Sequence, residues 1–198
     1  MSRIVILTGS MRRGGNTDLL AEAFARGASL HNQVEILSVA DYPVHPCLGC
    51  NACMQRQGHT CVQQDAMQEI YPKLRDADVL VLASPVYFYG ISAQLKAIID
   101  RLHTPMRDSF RIRRTALLLV GAASLPELFD AILTEYKLAC RFFHLEHAGQ
   151  VLVWGAKEKG DVRTGDALQQ AYDLGVSIAE PSRNLAKARR LCYTKKIK

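Results

Sequence analysis

The sequence predicts an α/β three-layer sandwich: a five-stranded parallel sheet with helices on both faces. Three observations carry this. Short β-branched apolar runs recur along the chain, amphipathic helical stripes separate them, and glycine- or proline-bearing loops follow several of the runs. Strands buried on both faces read as continuous apolar runs, and a helix between two such runs makes them parallel neighbours.

The first strand is the run at 4–7, followed by a glycine-rich stretch at 8–17. Leu20, Ala23, Phe24 and Ala28 then recur at helical spacing, and residues 33–39 form the second strand. Residues 40–64 show no period and hold Pro43, Pro46 and four cysteines, so they make a long excursion. Asp65 caps a helix with Met67, Ile70, Tyr71 and Leu74 on its inner face. The third strand is 79–83, and the helix after it buries Ile91, Leu95, Ile98, Ile99 and Leu102. A fourth strand at 116–120, a helix from Pro126 to about Phe143, a fifth strand at 151–154 and a last helix bearing Leu168, Ala171, Tyr172, Gly175, Val176 and Ala179 complete the order.

The chain has 198 residues, 48% of them hydrophobic and 22% charged, which suits one domain with a full core. The net charge of +6 belongs to one end. Seven of the 25 basic residues lie in 181–198, which has no acid, so residues 1–180 carry 18 basic against 19 acidic side chains. We therefore expect a domain over 1–180 and a basic tail over 181–198. The tail is read as a solvated end or an arm on a sister subunit rather than a nucleic-acid contact, because only Tyr193 adds an aromatic to the charge. The apolar run at 4–7 is too short for a signal h-region or a membrane span, so a cytoplasmic, non-membrane protein is expected.

In an open parallel sheet, ligands bind beyond the carboxyl ends of the strands where strand order reverses. The loop at 9–17 there has the composition an anion needs. Glycines admit the backbone, Ser10 and Thr17 offer hydroxyls, Arg12 offers a charge-assisted fork, and Asn16 and Thr17 open a helix. There is no Walker lysine and no G-x-G-x-x-G, which disfavours an ATP or plain dinucleotide site. The string Gly-Ser-x-Arg-x-x-Gly-Asn-Thr resembles the NAD(P)H-dependent FMN reductases of the flavodoxin-like superfamily. That resemblance implies an FMN phosphate held by Ser10, Arg12, Gly15, Asn16 and Thr17.

The block Ser-Pro-x-Tyr-x-x-x-x-Ser-x-x-x-Lys-x-x-x-Asp-Arg, residues 84–101, is similar to the same family's most specific signature. A flat, amphipathic isoalloxazine needs aromatic walls and backbone donors near its nitrogens. By the resemblance, Pro85, Val86, Tyr87, Phe88, Tyr89 and Gly90 border it, while Asp100 and Arg101 serve packing or a subunit interface. Gly121, in a third loop of small residues, is expected at the flavin's edge.

Cys47, Cys50, Cys53 and Cys61 follow a C-x2-C-x2-C-x7-C pattern that resembles the first part of the ferredoxin motif. The residues alone leave three readings open: a [4Fe–4S] cluster, a reversible disulfide or inert thiols, and zinc. One branch of the resembled family, the iron–sulfur flavoproteins, carries a compact motif in this region. His45 and His59 flank the cysteines as further candidate ligands.

The expected function is transfer of electrons from NAD(P)H through FMN to a small-molecule or protein acceptor, relayed through the cluster where one is bound. No side chain is assigned as a catalytic acid or base. The resemblance implies a homodimer or homotetramer. Two other classes stand beside this reading: a flavodoxin-type electron carrier, against which the nearly neutral body counts, and a cysteine-based redox or metal sensor without steady NAD(P)H turnover.

Overall fold

The computed structural model describes residues 1–178. The expected basic tail at 181–198, Ala179 at the end of the last helical stripe, and Cys192 lie outside the described residues.

Strands β1 (Arg3–Thr8), β2 (Gln33–Ser38), β3 (Val79–Tyr87), β5 (Arg114–Val120) and β6 (Glu146–Val153) form one sheet in the order β2-β1-β3-β5-β6, and the short β4 (Gly90–Ile91) pairs with β3. All pairs along the main path are parallel. From β1 the chain moves outward to β2, then crosses back to lay β3 on β1's other side, so the order reverses between β1 and β3. This is the flavodoxin-like α/β fold that the sequence predicts.

Alternation along the buried strands sorts the core into two faces. Ile4, Ile6, Val79, Val81, Ala116 and Leu118 face one layer, packed against Leu20 and Phe24 of α1 (Asn16–Ala28) and Ala171 of α6 (Ala167–Ser177). On the other face Val5, Leu7 and Leu80 meet Met67, Ile70 and Leu74 of α3 (Met67–Arg75) and Leu95 and Ile98 of α4 (Ala93–Asp100). Leu117 and Leu119 meet Ile132 and Tyr136 of α5 (Asp130–Phe143) there. Two glycines let α1 and α6 approach backbone to backbone: a Cβ on Gly27 would lie 2.1 Å from the Tyr172 carbonyl oxygen, and one on Gly175 2.2 Å from that of Phe24.

Several boundaries differ from the sequence reading. β3 runs on to Tyr87 and turns straight into β4, so Ile91 belongs to a hairpin and α4 begins after Ser92, whose hydroxyl caps it by accepting from Leu95 N. β6 starts at Glu146, five residues before its apolar run; being partly exposed, its first half has no reason to look apolar. α5 starts at Asp130 rather than Pro126. The excursion is not featureless: α2 (Ala52–Gln55) and a 3-10 turn, Gln57–His59, lie among the cysteines.

Candidate functional site

The topological switch places residue 9 between two strand ends. Gly9 N–H donates to the Ala83 carbonyl at 2.7 Å, closing the crevice floor beyond the last β1–β3 pair, Thr8 and Ala83. Gly9 tolerates no side chain, since a Cβ would meet Ser92 Oγ at 2.6 Å and Leu95 Cβ at 3.0 Å. α4 is thus seated against the first loop.

That loop is a tight, self-bonded turn. Gly15 N–H donates to the Arg12 carbonyl at 3.0 Å, Arg12 N–H donates to Ser10 Oγ at 3.1 Å, and Gly14 N–H donates to Asp18 Oδ2 at 2.8 Å. Gly15 is the N-cap of α1 and brings no capping side chain, which suits first-turn N–H groups that are to receive an anion. Ser10 and Thr17 are both buried here. Thr8 Oγ1, at the end of β1, is buried with no hydrogen-bond partner. An orphaned hydroxyl, an uncapped helix start and Arg12 together fit a phosphate monoester. Thr8 is not among the residues that the family resemblance assigns to the phosphate; its sign in the sequence is a lone hydroxyl closing an apolar strand.

Asn16 ties the first loop to a distant segment of the chain. Its side-chain amide donates to the carbonyls of Glu158 at 2.8 Å and Ala156 at 3.3 Å, and its Oδ1 accepts from Gly160 N–H at 2.8 Å. It pins a strap, residues 156–160, against the loop at 9–17. Lys159 Nζ reaches the Arg13 carbonyl at 3.0 Å and Arg12 Nη1 the Lys157 carbonyl at 3.4 Å. Asn16 therefore shapes the loop through its side chain. The strap runs between Gly155 and Gly160, both at positive φ. Charge around the loop is mixed. Burial pushes the Asp18 carboxyl up, opposed by the Gly14 N–H bond, while nearby Glu22 raises it and Arg13 and Lys159 lower it. Arg13 itself is paired with Asp41.

The second loop is a two-residue hairpin. Val86 pairs with Ile91 and Tyr87 with Gly90, leaving Phe88 and Tyr89 as its turn. Both have left-handed φ, 49° and 64°, and Phe88 is 98% exposed. Such a turn normally carries Asn-Gly, and a bulky residue at positive φ costs on the order of 1–3 kcal/mol. Strain of this kind, with aromatic faces held in solvent, fits a platform for a planar ligand. Pro85 lies past Ala83, on a stretch of β3 paired with β5 alone, so its missing N–H interrupts no bond to β1. Ser84 Oγ accepts from Ser92 N–H at 3.0 Å and fixes the hairpin to α4. Replacing the turn, Phe88→Asn with Tyr89→Gly, is expected to raise stability by about 1–2 kcal/mol, read as a higher urea midpoint, while weakening FMN binding. A midpoint unchanged or lowered would contradict the strain.

Gly121 follows β5, its N–H donating to the Val153 carbonyl at 2.8 Å, and a Cβ there would lie 2.4 Å from Leu128 Cδ2. A glycine there lets the Leu128 and Phe129 side chains pack against the end of the strand.

Cys47, Cys50, Cys53 and Cys61 line one cavity of about 330 Å³, together with Asp100 and His103 from the end of α4 and the turn after it. All four are free thiols. Among the described residues no three His, Cys, Asp or Glu side chains form a group that would hold a single metal ion. The histidines named as candidates stand aside: His59 Nδ1 is bonded to the Cys53 carbonyl at 3.0 Å, and neither His59 nor His45 lines the cavity. Asp65 anchors the excursion. Its carboxylate accepts from His45 N–H at 2.9 Å and Met67 N–H at 3.1 Å, and forms a buried ion pair with Arg101.

A sequence profile of the NADPH-dependent FMN reductases matches residues 2–130. The chain belongs to this family. As a member of the FMN reductases it is an oxidoreductase, and its relatives agree. It is 41% identical over 190 residues to an iron–sulfur flavoprotein of Methanocaldococcus jannaschii, covering 90% of this chain and 96% of that one. It is 35% identical over 122 residues to an iron–sulfur flavoprotein of Methanosarcina thermophila, covering 61% of each. Its fold is similar to that of an NAD(P)H:quinone oxidoreductase from Methanothermobacter marburgensis, with a TM-score of 0.73 at 17% identity, covering 91% of this chain and 98% of that one. Among the described residues, no helix of this FMN reductase is long and apolar enough to cross a membrane.

Proposed function

We propose that this chain oxidises NAD(P)H with FMN held at the β1–β3 switch point and passes the electrons to an acceptor by way of a [4Fe–4S] cluster on Cys47, Cys50, Cys53 and Cys61. FMN supplies hydride acceptance at its ring and stepwise electron release, and a cluster supplies a one-electron relay. The chain's residues do the rest. Ser10, Arg12, Thr17, Thr8 and the backbone of Gly15, Asn16 and the first turn of α1 bind the phosphate. Tyr87, Phe88 and Tyr89 wall the ring, and Gly9, Pro85, Val86, Gly90 and Gly121 keep the backbone close and water out.

One observation carries the reading. A single helix joins the two sites: Ser92 at the start of α4 touches the first two loops, and Asp100 and His103 at its other end line the four-cysteine cavity. Eight helical residues span about 12 Å, a short path for an electron. The names of the two relatives above, both iron–sulfur flavoproteins, support the same assignment. The reading takes the enzyme to be a cytoplasmic homodimer or homotetramer, and the exposure of Phe88 supports a second copy beside the flavin.

The test is an absorption spectrum of protein purified without oxygen, with iron and acid-labile sulfide assayed on the same sample and NAD(P)H oxidation followed. Flavin bands with about four irons and four sulfides per chain, lost in Cys50→Ser, are the expected result. Flavin without iron removes the cluster; bound flavin without NAD(P)H turnover favours the sensor.

A further inference from the structure

The Arg101 side chain is 1% exposed and its partner Asp65 is 5% exposed, so the pair is among the most buried charge of the described residues. Only one edge of the guanidinium is satisfied. Nη1 donates to Asp65 and to the His45 carbonyl at 3.4 Å, whereas Nε and Nη2 are buried without any partner. Those two N–H groups form the fork with which arginine grips an anion through parallel bonds. Leaving two charged donors unmet in the interior is costly, and an orphaned buried donor calls for an acceptor.

The surroundings indicate which acceptor. Arg101 interacts electrostatically with Cys61. Tyr71, whose hydroxyl donates to the Arg101 carbonyl at 3.0 Å, interacts with both Cys61 and Cys53. Asp100 and His103, on either side of Arg101 in the chain, line the cysteine cavity. Asp65 occupies the Nη1 edge, so the pair presents its positive, donor-bearing end on the other side.

Resting on the cluster reading above, we propose that Arg101 is a positioning residue for that cluster: its free Nε–Nη2 fork donates to the thiolate- and sulfide-borne negative charge at Cys53 and Cys61 and raises the cluster's reduction potential. Reduction adds one negative charge to the cluster, and a fixed positive donor beside it stabilises the reduced form more than the oxidised one.

The experiment compares wild type, Arg101→Lys and the double replacement Asp65→Asn with Arg101→Gln. The double variant keeps a hydrogen-bonding pair of similar shape, where Arg101→Gln alone would leave Asp65 buried and unpaired. Each protein is purified anaerobically, assayed for iron and sulfide, and poised with redox mediators while the reduced cluster is followed by electron paramagnetic resonance. In the iron-replete double variant, the reduced-to-oxidised ratio at the wild-type midpoint is expected to fall about tenfold, a shift of about 59 mV for one electron. Arg101→Lys keeps the charge, loses the fork, and moves in the same direction by less. A wild-type midpoint in both iron-replete variants overturns the proposal, as does loss of iron from both with native circular dichroism, which would make Arg101 an anchor only. Wild type that binds no iron refutes the cluster reading itself, before any variant is compared.

Discussion

Asp65→Ala is expected to destabilise the protein by about 3–5 kcal/mol, because it strands the Arg101 guanidinium in the interior without its counter-charge. For a domain of this size each kcal/mol moves the thermal midpoint by about 2–4 °C. The same carboxylate holds His45 N–H and Met67 N–H, so both ends of the cysteine excursion loosen with it. The pH dependence has a definite sign. Burial acts to raise the Asp65 carboxyl, but the His45 N–H, Arg101 and Met67 N–H bonds and the Arg101 charge outweigh it, and the folded value lies below the ordinary one. Its contribution is therefore complete above the usual carboxylate value near 3.9 and is lost as pH falls through the lower folded value. Urea unfolding of wild type and Asp65→Ala at neutral pH and at about pH 3 reads both effects; equal midpoints at neutral pH would refute them.

Gly15→Val is the second large effect, and it falls on the flavin rather than on the fold. The Gly15 backbone, at φ −74°, accommodates any residue, but a Cβ there lies 2.8 Å from the Arg12 carbonyl oxygen. That oxygen accepts the Gly15 N–H which closes the turn. A branched side chain opens the turn and separates Ser10 and Arg12 from the first-turn N–H groups of α1. Losing about two charge-assisted bonds, each about 1.5–3 kcal/mol, weakens FMN binding by at least about 100-fold. Riboflavin, which lacks the phosphate, should bind wild type and variant alike. An FMN affinity unchanged in Gly15→Val would place the phosphate elsewhere.

Much of this was legible in the residues. The buried strands announce themselves because both faces are covered, and the loops at 9–17 and 84–92 fall at strand ends whose adjacency follows from doubly wound topology. Other features were hidden for physical reasons. Phe88 and Tyr89 carry none of the chemistry of a tight turn; pairing of Val86 with Ile91 holds them at positive φ against their own preference. β6 begins in a partly exposed stretch with a register shift against β5 at Thr115/Ala116, which blurs its alternation. The strap over Asn16 joins residues some 140 positions apart, and no local pattern encodes such a contact. Spacing brought Cys47, Cys50 and Cys53 together on paper, but the closing wall from Asp100 and His103 is a tertiary fact. Arg101, read as packing or interface, proves to be half satisfied, which only the buried, partnerless Nε and Nη2 reveal.

The central claim is that the crevice between β1 and β3 is a flavin mononucleotide site. Flavin-free protein titrated with FMN, and separately with riboflavin, while ring fluorescence is followed, tests it most directly. The account predicts saturable quenching by FMN at one equivalent per chain and binding of riboflavin weaker by about 100-fold, the share held by the phosphate loop. Equal affinity for the two would contradict the phosphate site, and no binding of FMN would contradict the account as a whole.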